Sequence, residues 1–216
     1  MLHLKLFGTN RKPKILCLGA HSDDIEIGCG GSILRIIKEL PLSQFRWIVF
    51  SGTKPRAQEA RQSASFFLNE SSSQLVEIHN YKQSYFPFIG SQIKDSFENL
   101  KTNFSPDLIF THYSSDAHQD HKLISNLTWN TFRNNLILEY EIPKYDGDLH
   151  VPNFYIHLDK PIVEKKINLI YNTFHTQKDR AWFSKDTFKS IMRIRGVESN
   201  SDSKYAEAFH CRKICF

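Results

Sequence analysis

The alternation of short apolar segments with amphipathic segments constrains the fold of this chain more than any other feature. KILCLG (14–19) is a continuous apolar run, which is typical of a strand buried on both faces. Ile33, Leu34, Ile37 and Leu40 then recur at helical spacing before Pro41. Similar strand-like segments are 45–51, 74–80, 107–112, 137–142 and 153–159, and helical segments are 30–40, 56–68, 91–104, 120–132, 161–174 and 185–194. This alternation predicts βαβ units and an α/β fold with a mostly parallel sheet.

Polar residues cluster directly after two of the predicted strands. AHSDDIE (20–26) follows the first strand, and HYSSDAHQDH (112–121) begins at the end of the fourth. Ligands of parallel α/β sheets bind beyond the carboxyl ends of the strands, and strands distant in sequence can be neighbours there. An unpaired buried charge costs roughly several kcal/mol. The two stretches are therefore expected to form exposed loops or to surround a positive charge.

The spacing within these stretches is compatible with a metal site. His21 and Asp24 lie three residues apart, so one turn of chain can direct both side chains at one point. His118 and His121 each offer a third ligand, and two histidines with one carboxylate leave a coordination position open, as in catalytic zinc sites. Isolated His–Asp pairs are usually surface hydrogen bonds, so the prediction depends on the two stretches together. The glycines of GCGG (28–31) are expected to let the chain turn tightly into the following helix.

Composition limits the range of functions. The 216 residues, 40% of them hydrophobic, predict a single domain over 1–216 with its own core. The net charge of +5 favours solubility or an anionic ligand, and no long Lys/Arg run supports nucleic-acid binding. No apolar run is long enough to span a membrane, and the polar N-terminus does not resemble a signal peptide. The four cysteines are interpreted as reduced thiols, and the expected location is cytoplasmic.

The two polar stretches carry a resemblance to a known family. AHSDDIEIGCGG (20–31) resembles the AHPDDE…GCGG signature of the PIG-L/LmbE-like zinc-dependent N-acetylglucosaminide deacetylases, and HYSSDAHQDH resembles their second motif. Weaker similarities are Arg56 with Glu59, HTQ (175–177), IRG (194–196) and AEAF (206–209), the last two typical of a bacterial branch. The resemblance implies a Rossmann-like three-layer sandwich. Ser22 replaces the usual Pro and Ile25 replaces a frequent Glu, but neither change removes a ligand.

The resemblance also implies roles for individual residues. His21, Asp24 and His121 would hold one Zn²⁺ per chain, although such sites accept other divalent metals as well. Asp23 would be the general base that deprotonates the attacking water. The cofactor is therefore expected to be zinc and the reaction the removal of an acetyl group from an N-acetylated amino sugar.

Three further residues complete the expected active site. His118 would stabilise the oxyanion, and Asp120 would orient His118. Arg56 is a candidate for substrate binding. For His112 and Asp116 the sequence leaves loop hydrogen bonds and an active-site role equally open.

Two other functions remain compatible with the sequence. A metal phosphohydrolase would use the same residue types but favours two metals about 3.5–4 Å apart. A carbohydrate-binding protein could keep this fold without catalysis, although the predicted ligands and base are all present. The expected partner is a small-molecule or lipid-linked amino sugar, and the family resemblance adds an expectation of a homo-oligomer. The identity of the sugar is not encoded in any motif.

Overall fold

A seven-stranded sheet forms the centre of the protein in the computed structural model, which describes residues 3–8 and 11–215. The strands are β1 (Lys14–Gly19), β2 (Gln44–Val49), β3 (Ser73–Ile78), β4 (Leu108–His112), β5 (Leu136–Tyr140), β6 (Phe154–His157) and β7 (Ala206–His210). Their order is β3-β2-β1-β4-β5-β7-β6, and β7 runs antiparallel to both of its neighbours. The predicted, mostly parallel α/β sheet is thus confirmed.

In the part of the chain that the structure describes, six α-helices cover the two faces of this sheet. They are α1 (Asp24–Glu39), α2 (Lys54–Phe67), α3 (Gly90–Asn103), α4 (Gln119–Thr131), α5 (Lys160–Thr173) and α6 (Lys185–Glu198). β1 shows why both faces are covered, because Ile15 and Cys17 face one hydrophobic core while Leu16 and Leu18 face the other. The helices α1, α2, α5 and α6 pack around the first core, and α3 and α4 around the second. The result is the expected three-layer sandwich.

The topology brings the two polar stretches together. β1 pairs with β2 on one side and β4 on the other, so the chain order reverses between β1 and β4. The carboxyl ends of these two strands, Gly19 and His112, therefore lie side by side at the edge where α1 and α4 begin. This is the switch-point position at which α/β sheets bind ligands.

The glycine cluster has a different role from the predicted one. α1 begins at Asp24 rather than near Gly30, so Gly28, Gly30 and Gly31 lie inside the helix and not in a turn before it. A Cβ on Gly28 would overlap the ring of Tyr140, and one on Gly30 would lie 2.7 Å from Cε1 of Phe67. The prediction of a tight turn was therefore wrong. The glycines let α1 approach the sheet and α2 closely.

The two late motif similarities lie in regular secondary structure. IRG (194–196) belongs to α6, and AEAF (206–209) forms most of β7, a strand that the periodicity of the sequence did not reveal. Within residues 3–8 and 11–215, all four cysteines are free thiols. In the same residues, every helix is too short or too polar to traverse a bilayer.

Candidate metal centre

Two helix starts form the walls of the site. The loop after β1 carries His21 and Asp23 into α1, and the loop after β4 carries Asp116 and His118 into α4. Backbone N–H groups at a helix N-terminus are unpaired and favour negative charge nearby. This explains how Asp24 and Asp120, both in a first helical turn, can be buried at the same edge of the sheet.

Three atoms converge at the centre of the site. Nδ1 of His21 lies 3.2 Å from Nε2 of His121 and 3.5 Å from Oδ2 of Asp24. The third side of the triangle, from His121 Nε2 to Asp24 Oδ2, is 3.6 Å. Zinc bonds to nitrogen and oxygen of about 2.0–2.1 Å in tetrahedral geometry imply a separation between ligands of about 3.3 Å. The three residues predicted as ligands are therefore spaced as one such ion requires.

The hydrogen-bond partners of the two imidazoles leave the nitrogens that face each other, His21 Nδ1 and His121 Nε2, as acceptors. His21 Nε2 lies 3.1 Å from Oδ2 of Asp120, and His121 Nδ1 lies 2.9 Å from Oδ2 of Asp116. We assign the ring protons to these two nitrogens, because carboxylates accept hydrogen bonds. Two lone pairs and a carboxylate oxygen then face one another, an arrangement that requires a cation or a proton between them. Carboxylates behind metal-binding imidazoles commonly fix the ring in this way.

The electrostatics of the site favour positive charge at His21. Burial lowers the pKa of His21, but the carboxylates of Asp24 and Asp120 outweigh it and raise the pKa to about 9. Burial, together with the charge of His112, lowers the pKa of His121 to about 3. Burial acts against ionisation of Asp24, yet the surrounding histidines keep its pKa well below the usual value. Without a metal, the cluster therefore holds the Asp24 carboxylate and a neutral His121 beside a protonated His21, and the proton on His21 Nδ1 must leave before that nitrogen can bind a cation.

Asp120 has a different partner from the one predicted. Its carboxylate accepts from His21, from Ser84 N at 2.6 Å and from Phe86 N at 3.2 Å. Its contact with His118 is through the backbone, since Asp120 N donates to His118 Nδ1 at 3.2 Å. The expectation that Asp120 orients His118 through its carboxylate therefore needs correction, because that carboxylate orients His21. The helical turn, not the carboxylate, fixes the ring of His118.

His118 is the half-buried cap of α4. Its Nδ1 accepts a helical N–H, so the proton of the neutral ring lies on Nε2. The ring centroid lies 4.8 Å from that of His21 and 4.6 Å from that of His121. Burial and the charge of His21 lower the pKa of His118. His118 is therefore a donor at the edge of the cluster, and its ring nitrogens also lie close enough to those of His21 and His121 to join a metal site.

Asp23 is buried beside the triangle and is held by Arg56. Arg56 Nη2 donates to Oδ1 of Asp23 at 3.1 Å, and Nη1 donates to Oε1 of Gln83 at 2.7 Å. Burial raises the pKa of Asp23, although the positive charge of Arg56 opposes the shift. A carboxylate with a raised pKa is a better proton acceptor than one in water.

A layer of residues behind the ligands escaped sequence analysis. Lys144 Nζ donates to Oδ2 of Asp116 at 2.9 Å, the same oxygen that holds His121, and pairs with Oδ2 of Asp148 at 2.6 Å. Asp148 also accepts from Ala117 N at 2.7 Å. These residues lie in the loop after β5, whose sequence has no periodicity that signals a site. Only the tertiary fold brings them to the second motif.

His112 and Asp116, whose roles the sequence left undecided, both lie at the site. Asp116 holds His121 as described, and His112 is fully buried, with Nε2 2.9 Å from Ala20 N and 3.1 Å from Oδ2 of Asp24. The weaker motif similarities also meet, because Oε1 and Oε2 of Glu59 accept from N and Oγ1 of Thr176 at 2.9 and 2.6 Å. This contact joins α2 to the HTQ segment.

Comparison with protein families identifies one match. The family model of PIG-L, GlcNAc-PI de-N-acetylase, matches residues 16–132, which is more than half of the chain and includes both polar stretches. No curated protein sequence is significantly similar to this chain.

Several solved structures share the fold. An N,N'-diacetylchitobiose deacetylase from Pyrococcus horikoshii, complexed with its inhibitor MPG, has a TM-score of 0.69 at 19% identity over 92% of this chain and 83% of its own. The conserved protein TT1542 from Thermus thermophilus has a TM-score of 0.75 at 16% identity over 94% and 97%. GalB, a 4-carboxy-2-hydroxymuconate hydratase from Pseudomonas putida KT2440, has a TM-score of 0.68 at 14% identity over 94% and 98%. At these identities the likeness concerns the fold, and the site itself must indicate the reaction.

Proposed function

Because this chain belongs to the PIG-L (GlcNAc-PI de-N-acetylase) family, we propose that it is a zinc-dependent hydrolase of N-acetylated amino sugars. The reaction is hydrolysis of the acetamide, which releases acetate and the free amine. The observation that carries the proposal is the triangle of His21 Nδ1, His121 Nε2 and Asp24 Oδ2, with sides of 3.2, 3.5 and 3.6 Å. A zinc ion held there would polarise the acetamide carbonyl and make water more acidic.

Asp23 is proposed as the general base. It lies next in sequence to the proposed ligand Asp24 but outside the triangle, and because Arg56 holds Oδ1, Oδ2 is the oxygen that would accept a proton from water. Arg56 fixes the orientation of this carboxylate through its 3.1 Å hydrogen bond. The second donor edge of Arg56 points to Gln83, at the partly exposed side of the site, where we propose that it also contributes to substrate binding.

His118 is proposed as the residue that stabilises the developing oxyanion. Its Nδ1 accepts from the backbone N–H of Asp120, which leaves Nε2–H as a donor. Asp120 supports the site by orienting the ligand His21 and by holding two backbone amides of the 84–86 segment. After attack on the carbonyl, Asp23 or His118 would return a proton to the leaving amine.

The alternative of a two-metal phosphohydrolase has less support. A second group of candidate ligands, Asp24, His112 and His121, shares two of its three members with the first triangle. Nε2 of His112 also lies within hydrogen-bonding distance of Ala20 N and Tyr140 Oη. The described residues thus offer overlapping sets around one position rather than two separate cation sites.

The proposal is tested by acetate release from N-acetylated amino sugars in free, inositol-linked, malyl-linked and nucleotide-linked form. Asp23→Asn is expected to lower kcat by about 10²–10⁴-fold while the zinc content stays the same, because a general base contributes this much. Asp95→Asn, at an exposed carboxylate of α3, is the matched control and is expected to retain full activity. Full activity in Asp23→Asn would reject the assignment of the base. Release of phosphate instead of acetate would reject the proposed reaction.

A further inference from the structure

A short segment beside the metal centre presents two aromatic rings to solvent. In the segment 82–88, Phe88 is 78% exposed and Tyr85 is 45% exposed, whereas Phe86 between them is fully buried. A single exposed aromatic residue is ordinary on a protein surface. The position of this pair and the rigidity of the backbone that carries it make it informative.

The segment is attached directly to the proposed active site. The residues on either side of Tyr85 donate their backbone N–H groups to the Asp120 carboxylate, Ser84 N at 2.6 Å and Phe86 N at 3.2 Å. The same oxygen that accepts from Ser84 lies 3.1 Å from the ring of His21. The ring of Phe86 packs against His21, with a centroid distance of 6.2 Å. The Asp120 carboxylate therefore links the backbone on either side of Tyr85 to the proposed zinc ligand His21.

Further contacts fix the conformation of the segment. Gln119 Nε2 donates to Ser84 O at 2.6 Å, and Phe88 N donates to Tyr85 O at 2.9 Å. Ser84 has a φ of +65°, a left-handed conformation that non-glycine residues adopt only when their surroundings enforce it. A preformed aromatic surface loses little conformational entropy when a ligand binds.

The neighbouring lysine indicates which ring is free. Lys82 Nζ lies 3.5 Å above the centroid of the Tyr85 ring, so a cation–π contact already occupies one face of Tyr85. Tyr85 in turn flanks Phe88, with the ring centroids 6.1 Å apart and inclined at 58°. The Phe88 ring is largely open to solvent, and Lys82, on the neighbouring Tyr85 ring, forms no ion pair with an acidic side chain of residues 3–8 and 11–215. The pair thus offers a stacking surface with a hydrogen-bond donor at its rim.

We propose that Phe88, flanked by Tyr85 and Lys82, binds a second sugar ring attached to the N-acetylated sugar. The apolar face of a pyranose ring stacks on Phe88, and its hydroxyl groups accept from Lys82. The preferred substrates are then disaccharides or longer saccharides rather than free monosaccharides. This inference rests on the proposed function, since it assumes that the scissile acetamide lies at the His21–Asp24–His121 triangle.

The test compares acetate release from N-acetylglucosamine and from its β-1,4-linked disaccharide. Phe88→Ala is expected to lower kcat/KM for the disaccharide by about three- to tenfold, the range of other aromatic stacking contacts, and to leave the monosaccharide unaffected. Phe88→Trp is expected to preserve the preference. Phe66→Ala removes a 41%-exposed aromatic ring on α2 and serves as the matched control. Equal effects on both substrates, or no effect on either, would overturn the inference.

A binding experiment separates this inference from the proposed function. If the wild-type protein releases no acetate from either sugar, the proposed function fails for these substrates, but binding can still be measured by saturation-transfer NMR. Binding of the disaccharide that Phe88→Ala abolishes and Phe66→Ala retains would support the stacking surface on its own. Absence of disaccharide binding by the wild type, or unchanged binding by Phe88→Ala, would overturn it.

Discussion

At the level of single residues, the orientation of the proposed ligands depends on two carboxylates that lie outside the ligand triangle. Asp116 and Asp120 each occupy the distal nitrogen of one imidazole, which turns the other nitrogen towards Asp24. Lys144 neutralises Asp116 from behind and is 10% exposed at its side chain. Without Lys144, the Asp116 oxygen that holds His121 would lose its counter-charge in a buried environment.

Lys144→Met is therefore expected to weaken zinc binding. Partners behind a metal ligand typically contribute 10–100-fold in metal affinity, and we expect a loss of about this size. Competition with a chromogenic chelator measures the zinc Kd directly. Lys144→Arg, which keeps the charge, is expected to retain most of the affinity, and Lys38→Met on the exposed face of α1 is the control. Wild-type zinc affinity in Lys144→Met would contradict this role.

A histidine outside the ligand triangle, His210, is expected to make the protein sensitive to acid. His210 is at the end of β7, where its ring stacks on Tyr113 with centroids 3.7 Å apart. Burial, together with the charges of His150 and Arg195, lowers the pKa of His210 to about 4. The unfolded chain binds a proton near pH 6.5 but the folded protein does not. The contribution of His210 to stability is therefore complete above about pH 6.5 and is lost as the pH falls towards 4.

His210→Phe keeps the stacked ring and removes the titration. We expect the Tm of the variant relative to the wild type to increase steadily as the pH is lowered from 7 to 4.5. Thermal unfolding followed by circular dichroism over this range measures the difference. A Tm difference that is independent of pH would show that His210 does not contribute to acid sensitivity.

The sequence pointed to the proposed ligands more directly than to the residues that support them. The spacing of the first motif indicated His21 and Asp24, whereas spacing left His118 and His121 open as the third ligand and the family resemblance implied His121. The pairing of Asp120 with His21 could not be read from spacing, because the two residues are 99 positions apart, and the family resemblance had implied His118 as the partner of Asp120. Lys144 and Asp148 lie in a loop without periodicity and reach the site only through the fold.

At the level of helices and strands, the packing of α1 determines where the site lies. Gly28 allows the helix to touch the ring of Tyr140, whose hydroxyl donates to Leu18 O at 2.6 Å and lies 3.2 Å from Nε2 of His112. His112 in turn contacts Asp24. The distance between α1 and the sheet is therefore linked to the position of a proposed ligand.

Gly28→Ala is expected to destabilise the protein although alanine favours helices. The added methyl group would overlap a fixed aromatic ring, and overpacking of this kind costs about 1–3 kcal/mol. Gly90→Ala is the matched control, because the nearest atom to its Cβ would be 3.8 Å away. Urea denaturation is expected to show a lower free energy of unfolding only for Gly28→Ala. Equal stability of the two variants would refute the packing argument.

Periodicity predicted the type and order of most elements but not the start of α1 or the presence of β7. The polar residues at 23–26 concealed the first turn of α1, since such charges are expected in loops. In β7, the buried carboxylate of Glu207 interrupts the apolar pattern. Glu207 is stabilised there by Lys166 at 2.6 Å and by Ser32 N at 2.6 Å, contacts that are visible only in three dimensions.

At the level of the whole molecule, the fold assembles a single site from motifs that are about 90 residues apart. The strand order places β1 beside β4, and the helices that follow them bring their N-termini to the same edge. Neither motif alone supplies the three proposed ligand atoms, because His21 and Asp24 come from the first motif and His121 from the second. Zinc binding is consequently expected to link the loop before α1 to the start of α4 and to stabilise the folded state.

The most direct test of this account is acetate release from an N-acetylated amino sugar during titration of zinc into metal-free protein. We expect no acetate at zero zinc, a linear increase and saturation at one zinc per chain. His21→Ala and His121→Ala are expected to abolish both zinc binding and acetate release. Acetate release by the metal-free protein, or saturation at two zinc ions per chain, would contradict the single-metal mechanism proposed for this site.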